Sequence, residues 1–156
     1  MKYPGLSSFN QSNMKKSILI GIVMLITGII NSYATGEDSV NKSIASSFRK
    51  KFAEAREVKW EKLNNGMRAC FKIDEQILYA YYSEEGELTA LGRPIKSSQL
   101  PINLSLDLSK KYSEYYIADI FEVSSDNSSS YFVVLDSPRR KLLLKSTGSE
   151  GFIQLP

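Results

Sequence analysis

The chain has 156 residues, 20 basic and 17 acidic, with one cysteine and no histidine. Those counts exclude a Ser-His-Asp or Cys-His catalytic set, a thiolate metal site and an intramolecular disulfide. The formal charge of +3 belongs to Lys2, Lys15 and Lys16; residues 35–156 balance at 17 against 17, which argues against a nucleic-acid partner.

The first segment reads as an export signal. Met14-Lys15-Lys16 precedes an apolar run, and Ser32-Tyr33-Ala34 offers small residues at the −3 and −1 positions, so cleavage is expected after Ala34. Ile18 to Ile30 falls short of the roughly 20 residues a membrane-spanning helix needs. Residues 1–13 read as an extension, whether the native start is Met1 or Met14. No cysteine lies near the cleavage point to carry a lipid, so no membrane attachment is expected once the signal is removed. Residues 35–156 are the size of one domain, with a periplasmic or secreted location expected.

A helix follows. Val40, Ile44, Phe48 and Phe52 recur at intervals of four, Ser39 is the candidate N-cap, and Arg49, Lys50 and Lys51 suit the C-terminal end of the dipole. Val58 to Leu91 then reads as a four-strand meander. Asn65-Gly66 supplies the positive-φ positions of a tight hairpin, and Glu85-Gly86 marks another reversal. Alternation puts Trp60 beside Val58, gathers Met67, Ala69 and Phe71 on one face, and leaves Cys70 with Arg68 and Lys72 on the other. On the third strand Ile77, Tyr79 and Tyr81 oppose Leu78, Ala80 and Tyr82. Either both faces are covered, or one stays open as an aromatic platform.

Gly92-Arg93-Pro94 reads as a link. Beyond it Leu100, Leu104, Leu108 and Tyr112 step by four, although Ile102 to Leu108 also alternates as a strand would. Pro101 and Lys110-Lys111 favour the helix. Three strands follow (Ile117–Val123, Tyr131–Leu135, Lys141–Lys145), and Phe152–Leu155 is a candidate edge strand. The expected fold is therefore α+β: antiparallel sheet with two helices packed on one face, in two similar helix-plus-meander halves at about 39–92 and 97–156. Phe52 aligns with Tyr112 and Val58 with Ile117, which suggests an old duplication.

This order of motifs resembles the PepSY-like periplasmic proteins of the β-lactamase-inhibitor-protein-like structural group. The resemblance rests on Phe48-x-x-x-Phe52, Val58-Lys59-Trp60, Asn65-Gly66, Ala69-x-Phe71, Tyr81-Tyr82-x-x-x-Gly86, Leu100-Pro101 and Tyr131-Phe132. It implies an exported two-layer fold without family catalytic residues. Related modules are thought to restrain peptidases, and the inhibitor proteins of the group grip an enzyme with a concave sheet.

The residues point to a non-enzymatic binding module without cofactor or metal, whose partner is an envelope protein or peptide. Strand aromatics exceed what two helical stripes can cover, and Tyr79, Tyr81, Tyr131 and Phe132 are the candidate binding residues. Phe48, Phe52, Trp60, Phe71, Leu104, Leu108 and Tyr112 are the candidate core. The alternative is a small-ligand sensor or carrier with a pocket between helices and sheet. A carboxylate hydrolase built on Glu61 or Asp119 needs two carboxylates converging in one cleft. Glu84, Glu85 and Glu87 around Gly86 read as a solvated turn, and Arg139-Arg140-Lys141 as a solubilising edge.

Overall fold

A computed structural model of the chain describes residues 40–125 and 128–156. The expected signal segment, the expected cleavage after Ala34 and the candidate Ser39 cap lie outside them.

Helix α1 spans Lys42–Lys51. Asn41 caps it, its side-chain oxygen accepting from the Ser43 N–H at 2.9 Å. The interval of four holds: Val40, Ile44 and Phe48 are buried, and Phe52 ends the helix with its N–H on the Phe48 carbonyl. Helix α2, Ile102–Lys111, repeats this arrangement 60 positions later. Leu100, Leu104 and Leu108 are buried, and Tyr112 donates its N–H to the Leu108 carbonyl. The helical period wins over the strand-like alternation because it alone buries those three leucines on one side.

Strand β1 (Arg56–Leu63) follows α1, and β5 (Tyr116–Ser125) follows α2, each opening with four exposed residues before the first buried one. The equivalent of Trp60 is thus Ile120, and Val58 corresponds to Ala118; the expected match with Ile117 is off by one. Register shifts between Arg56 and Lys59, and between Ile117 and Asp119, are the reason. A bulge interrupts alternation, so matching apolar residues by pattern lands on the wrong position.

Strands β2 (Gly66–Ile73), β3 (Gln76–Tyr82), β4 (Leu88–Pro94), β6 (Ser128–Asp136), β7 (Lys141–Ser146) and β8 (Ile153–Leu155) complete one antiparallel sheet of eight strands in sequence order. Two turns differ from expectation. Leu63 pairs with Gly66, so Asn64 and Asn65 form the first turn, and only Gly66 carries a positive φ, of 135°. The turn with two positive φ values sits one hairpin later, at Asp74 (47°) and Glu75 (62°), where Ile73 pairs with Gln76. Gly92-Arg93-Pro94 is also more than a link. Those residues belong to β4 and pair with Val123, Glu122 and Phe121 of β5, while the Arg93 Nε–H donates to Glu122 Oε2 at 2.8 Å. This pairing joins the two halves into one sheet, with Pro94 at the strand end, where a missing N–H is tolerated.

Both helices lie on the same face, each over its own core. Ile44 and Phe48 meet Trp60, Met67, Ala69, Phe71, Ala80 and Tyr82 beneath α1. Leu104 and Leu108 meet Ile120, Val133, Leu135, Leu142, Leu144 and Phe152 beneath α2. Phe52 and Tyr112 are partly buried at the margins, so the expected core residues all take part.

Asp107 of α2 ties the C-terminal strand down, accepting the Phe152 N–H on Oδ2 at 2.8 Å and pairing with Lys111 Nζ at 2.7 Å. The Lys111 ammonium holds its carboxyl below the usual carboxylate range, opposed by burial and helped by the Phe152 N–H. A depressed folded pKa contributes stability that is present above the ordinary value near 3.9 and lost as pH falls through the folded value. Asp107→Ala is expected to cost about 1.5–3 kcal/mol at neutral pH and to flatten the acid limb of the stability curve. Urea titrations from pH 2 to 7 measure both.

Tyr82 gives the opposite limb. Its ring packs against Phe48 and Trp60, its hydroxyl is buried with no hydrogen-bond partner, and burial pushes the phenol up to about 12. A raised folded value means stability is lost as pH climbs from the ordinary value near 10 towards 12. Tyr82→Phe is expected to remove that alkaline loss and to leave stability at pH 7 equal or about 1 kcal/mol higher. A loss above 1 kcal/mol at pH 7 would show that the hydroxyl is satisfied.

Candidate functional site

Among the described residues no helix or strand covers the other face of the sheet, yet its centre is buried. Tyr81, Ala90, Phe121, Val123 and Phe132 form a third buried cluster, with Leu63, Tyr79 and Leu155 at its margin. These five come from β3, β4, β5 and β6, across the seam between the halves. Tyr81 is sealed to 4% and Phe132 to 1% exposure there, with Arg68 paired directly beside Tyr81 and Lys145 Nζ 5.8 Å from the Phe132 ring centre. The aromatic surplus therefore joins the two halves and does not present an open platform.

The four candidate binding residues separate accordingly. Tyr81 and Phe132 are sealed, and Tyr79 is half-buried with its ring 6.3 Å from that of Phe121. Tyr131 is on the helix face, at the edge of the α2 core, with its hydroxyl 3.4 Å from Glu122 Oε1. Neighbouring strand residues point opposite ways, so Tyr131 and Phe132 could never share a surface.

Arg68 was not singled out from sequence. It is 6% exposed, sits on the helix-free face with its guanidinium 5.6 Å from the Tyr79 ring centre, and pairs with Glu61 through Nη2. Its Nη1 and the Tyr81 hydroxyl have no hydrogen-bond partner. Burial drives the Tyr81 phenol well above its ordinary value against the pull of the Arg68 charge. Cys70 is half-buried between them and Lys72, and burial raises its thiol pKa despite the neighbouring cations, which keeps it protonated. The one signal for Arg68 was a charge set directly between the apolar Met67 and Ala69 in a strand whose other charge, Lys72, lies near its end.

Around the sealed centre, exposed apolar side chains remain. The register places Ile77 (40% exposed), Tyr116 (75%) and Ile153 (62%) on the helix-free face, opposite Lys72, Asp136 and Lys145. On the helix side, a surface cleft of about 330 Å³ opens where α1 ends above β1, its walls including Ala45, Phe48, Phe52, Ala55, Val58 and Trp60.

The remaining candidates take structural roles. Glu61 is engaged by Arg68, and Asp119 lies on β5, four strands away, or about 19 Å measured along the sheet. These two therefore do not form a hydrolytic pair. Glu84, Glu85 and Glu87 are exposed around the turn closed by the Ser83 N–H on the Glu87 carbonyl at 2.9 Å. Arg140 donates to the Tyr115 hydroxyl at 2.7 Å, and Lys141 pairs with Asp136.

This arrangement has counterparts among solved structures. A protein from Bacteroides eggerthii, provisionally described as periplasmic, superposes with a TM-score of 0.69 at 11% identity, covering 74% of this chain and 88% of its own. A BLIP-like protein from Bacteroides fragilis gives 0.63 at 15%, covering 74% and 85%. The fold is BLIP-like. A DUF2874 family protein from Bacteroides uniformis gives 0.67 at 13%, covering 73% and 86%. No family model matches the sequence, and no curated protein does. At these identities the BLIP-like likeness speaks for the fold alone. Among the described residues, no helix is long and apolar enough to cross a membrane.

Proposed function

We propose that this protein is an exported, non-enzymatic module that holds a protein or peptide against the helix-free face of its sheet. The carrying observation is that face itself: a sealed aromatic floor flanked by exposed Ile77, Tyr116 and Ile153, with no helix or strand of the described residues over it. Exposed apolar groups around a buried apolar centre are what association surfaces are made of. The signal-like leader, the PepSY-like resemblance and the provisional periplasmic description of the Bacteroides eggerthii neighbour support export. The inhibitors of the structural group engage enzymes through the equivalent layer, which supports the face by analogy.

The test separates binding from packing. Ile77→Lys, Tyr116→Lys and Ile153→Lys change exposed groups, so unfolding midpoints are expected to stay within about 0.5 kcal/mol of wild type. Crosslinking in the exporting cell should yield an adduct with wild type that the triple variant loses. An adduct retained by the folded triple variant, or none from wild type, ends this reading. A small-ligand role has one observation in its favour, the cleft beside Trp60, and saturable quenching of Trp60 by an apolar ligand would support it.

A further inference from the structure

A second surface lies apart from the helix-free face. Among the described residues β1 is an edge of the sheet, and as on any edge strand half of its backbone N–H and C=O groups point away from its neighbour, β2. The opposite edge, β8, has just three residues, whereas β1 has eight. The bulge between Arg56 and Lys59 ends regular pairing, which leaves Lys59–Leu63 as the stretch a further strand could follow. Directly beside this stretch, on the helix side, is the cleft walled by Phe52, Val58 and Trp60, where Val58 is 36% exposed at the rim.

The charge around this edge is one-sided. Lys50, Lys51, Arg56, Lys59 and Lys62 are exposed, and none pairs with a described acidic residue. On β1 itself, Glu57 and Glu61 are taken by Lys72 and Arg68. A second copy of the chain is a poor occupant. Pairing two β1 edges would bring two copies of this cationic cluster together, which like-charge repulsion disfavours.

We infer that β1 accepts an acidic peptide segment in extended conformation as a ninth strand. Its backbone bonds the edge, its carboxylates face Arg56 and Lys59 on the helix-free side, and one bulky apolar side chain enters the cleft beside Trp60 on the other. Strand addition of this kind draws affinity from main-chain hydrogen bonds and specificity from the alternate side chains. The surrounding cations make the interaction salt-sensitive.

The experiment uses labelled heptapeptides of alternating Glu and Leu, of alternating Lys and Leu, and the acidic peptide N-methylated at alternate amides. Fluorescence anisotropy with the exported chain should show the acidic peptide binding at least about tenfold more tightly than the basic one. N-methylation should weaken it by a similar factor, and Arg56→Glu with Lys59→Glu should invert the preference. Val58→Glu, which puts a like charge at the rim, should weaken the acidic peptide without shifting the unfolding midpoint. Equal affinity for both peptides, indifference to N-methylation, or no binding at millimolar concentration overturns the proposal. So does a wild-type dimer in sedimentation that the charge reversal dissociates, because β1 is then a contact between copies.

Discussion

Gly66→Ala is expected to cost roughly 2–6 kcal/mol, combining backbone strain with overpacking. A Cβ at this position would stand 1.9 Å from the carbonyl oxygen of Tyr82, and the φ of 135° lies where side chains are rarely accommodated. The obstacle is backbone, and it is held in register because the next residue, Met67, pairs with Tyr82. Relief therefore requires β2 and β3 to separate at the point where Tyr82 enters the α1 core. Asn64→Ala, one turn residue away with an ordinary φ and an exposed side chain, is expected to change stability by less than about 0.5 kcal/mol. Denaturant titration of both variants decides it. A Gly66→Ala loss below 1 kcal/mol would mean the first hairpin tolerates a different register.

Glu61→Ala is expected to cost about 3 kcal/mol, the lower end of what breaking a buried ion pair costs, because Glu61 is still 25% exposed. The loss comes from Arg68, whose side chain is 7% exposed and already has one nitrogen without a partner. Removing the carboxylate leaves a buried guanidinium with no compensating charge. Replacing both residues by apolar groups of similar volume, Glu61→Leu with Arg68→Met, is expected to recover most of the loss or to exceed wild-type stability. A double-mutant cycle in urea gives the coupling directly. A double variant as unstable as Glu61→Ala would indicate that Arg68 contributes mainly through its packing against Tyr79.

Local patterns read from the residues alone account for much of this molecule. The interval of four in both helical stripes and the alternation of Met67, Ala69 and Phe71 are one-dimensional records of a single buried face, so they survive into the fold unchanged. The positions of the turns were legible too, but not their geometry. Asn-Gly advertises a positive-φ pair, while Asp74-Glu75, which adopts one, carries no such mark because the hairpin register imposes it.

The aromatic residues show where that legibility ends. An excess of rings on Tyr79, Tyr81 and Phe132 was visible, and it suggested an exposed platform. Whether such rings face solvent depends on the pairing of β4 with β5, which brings Phe121 and Val123 of one half against Tyr81 and Ala90 of the other. The same holds for Arg68 and for the cleft at β1, which exist only where distant strands and a helix end come together. Sequence by itself determined the α+β class, the order of elements and the two helix-side cores, because each is a periodicity along the chain. The tertiary structure alone decided which rings are sealed, which charge is buried and which edge is open, because those depend on contacts between segments far apart in the chain.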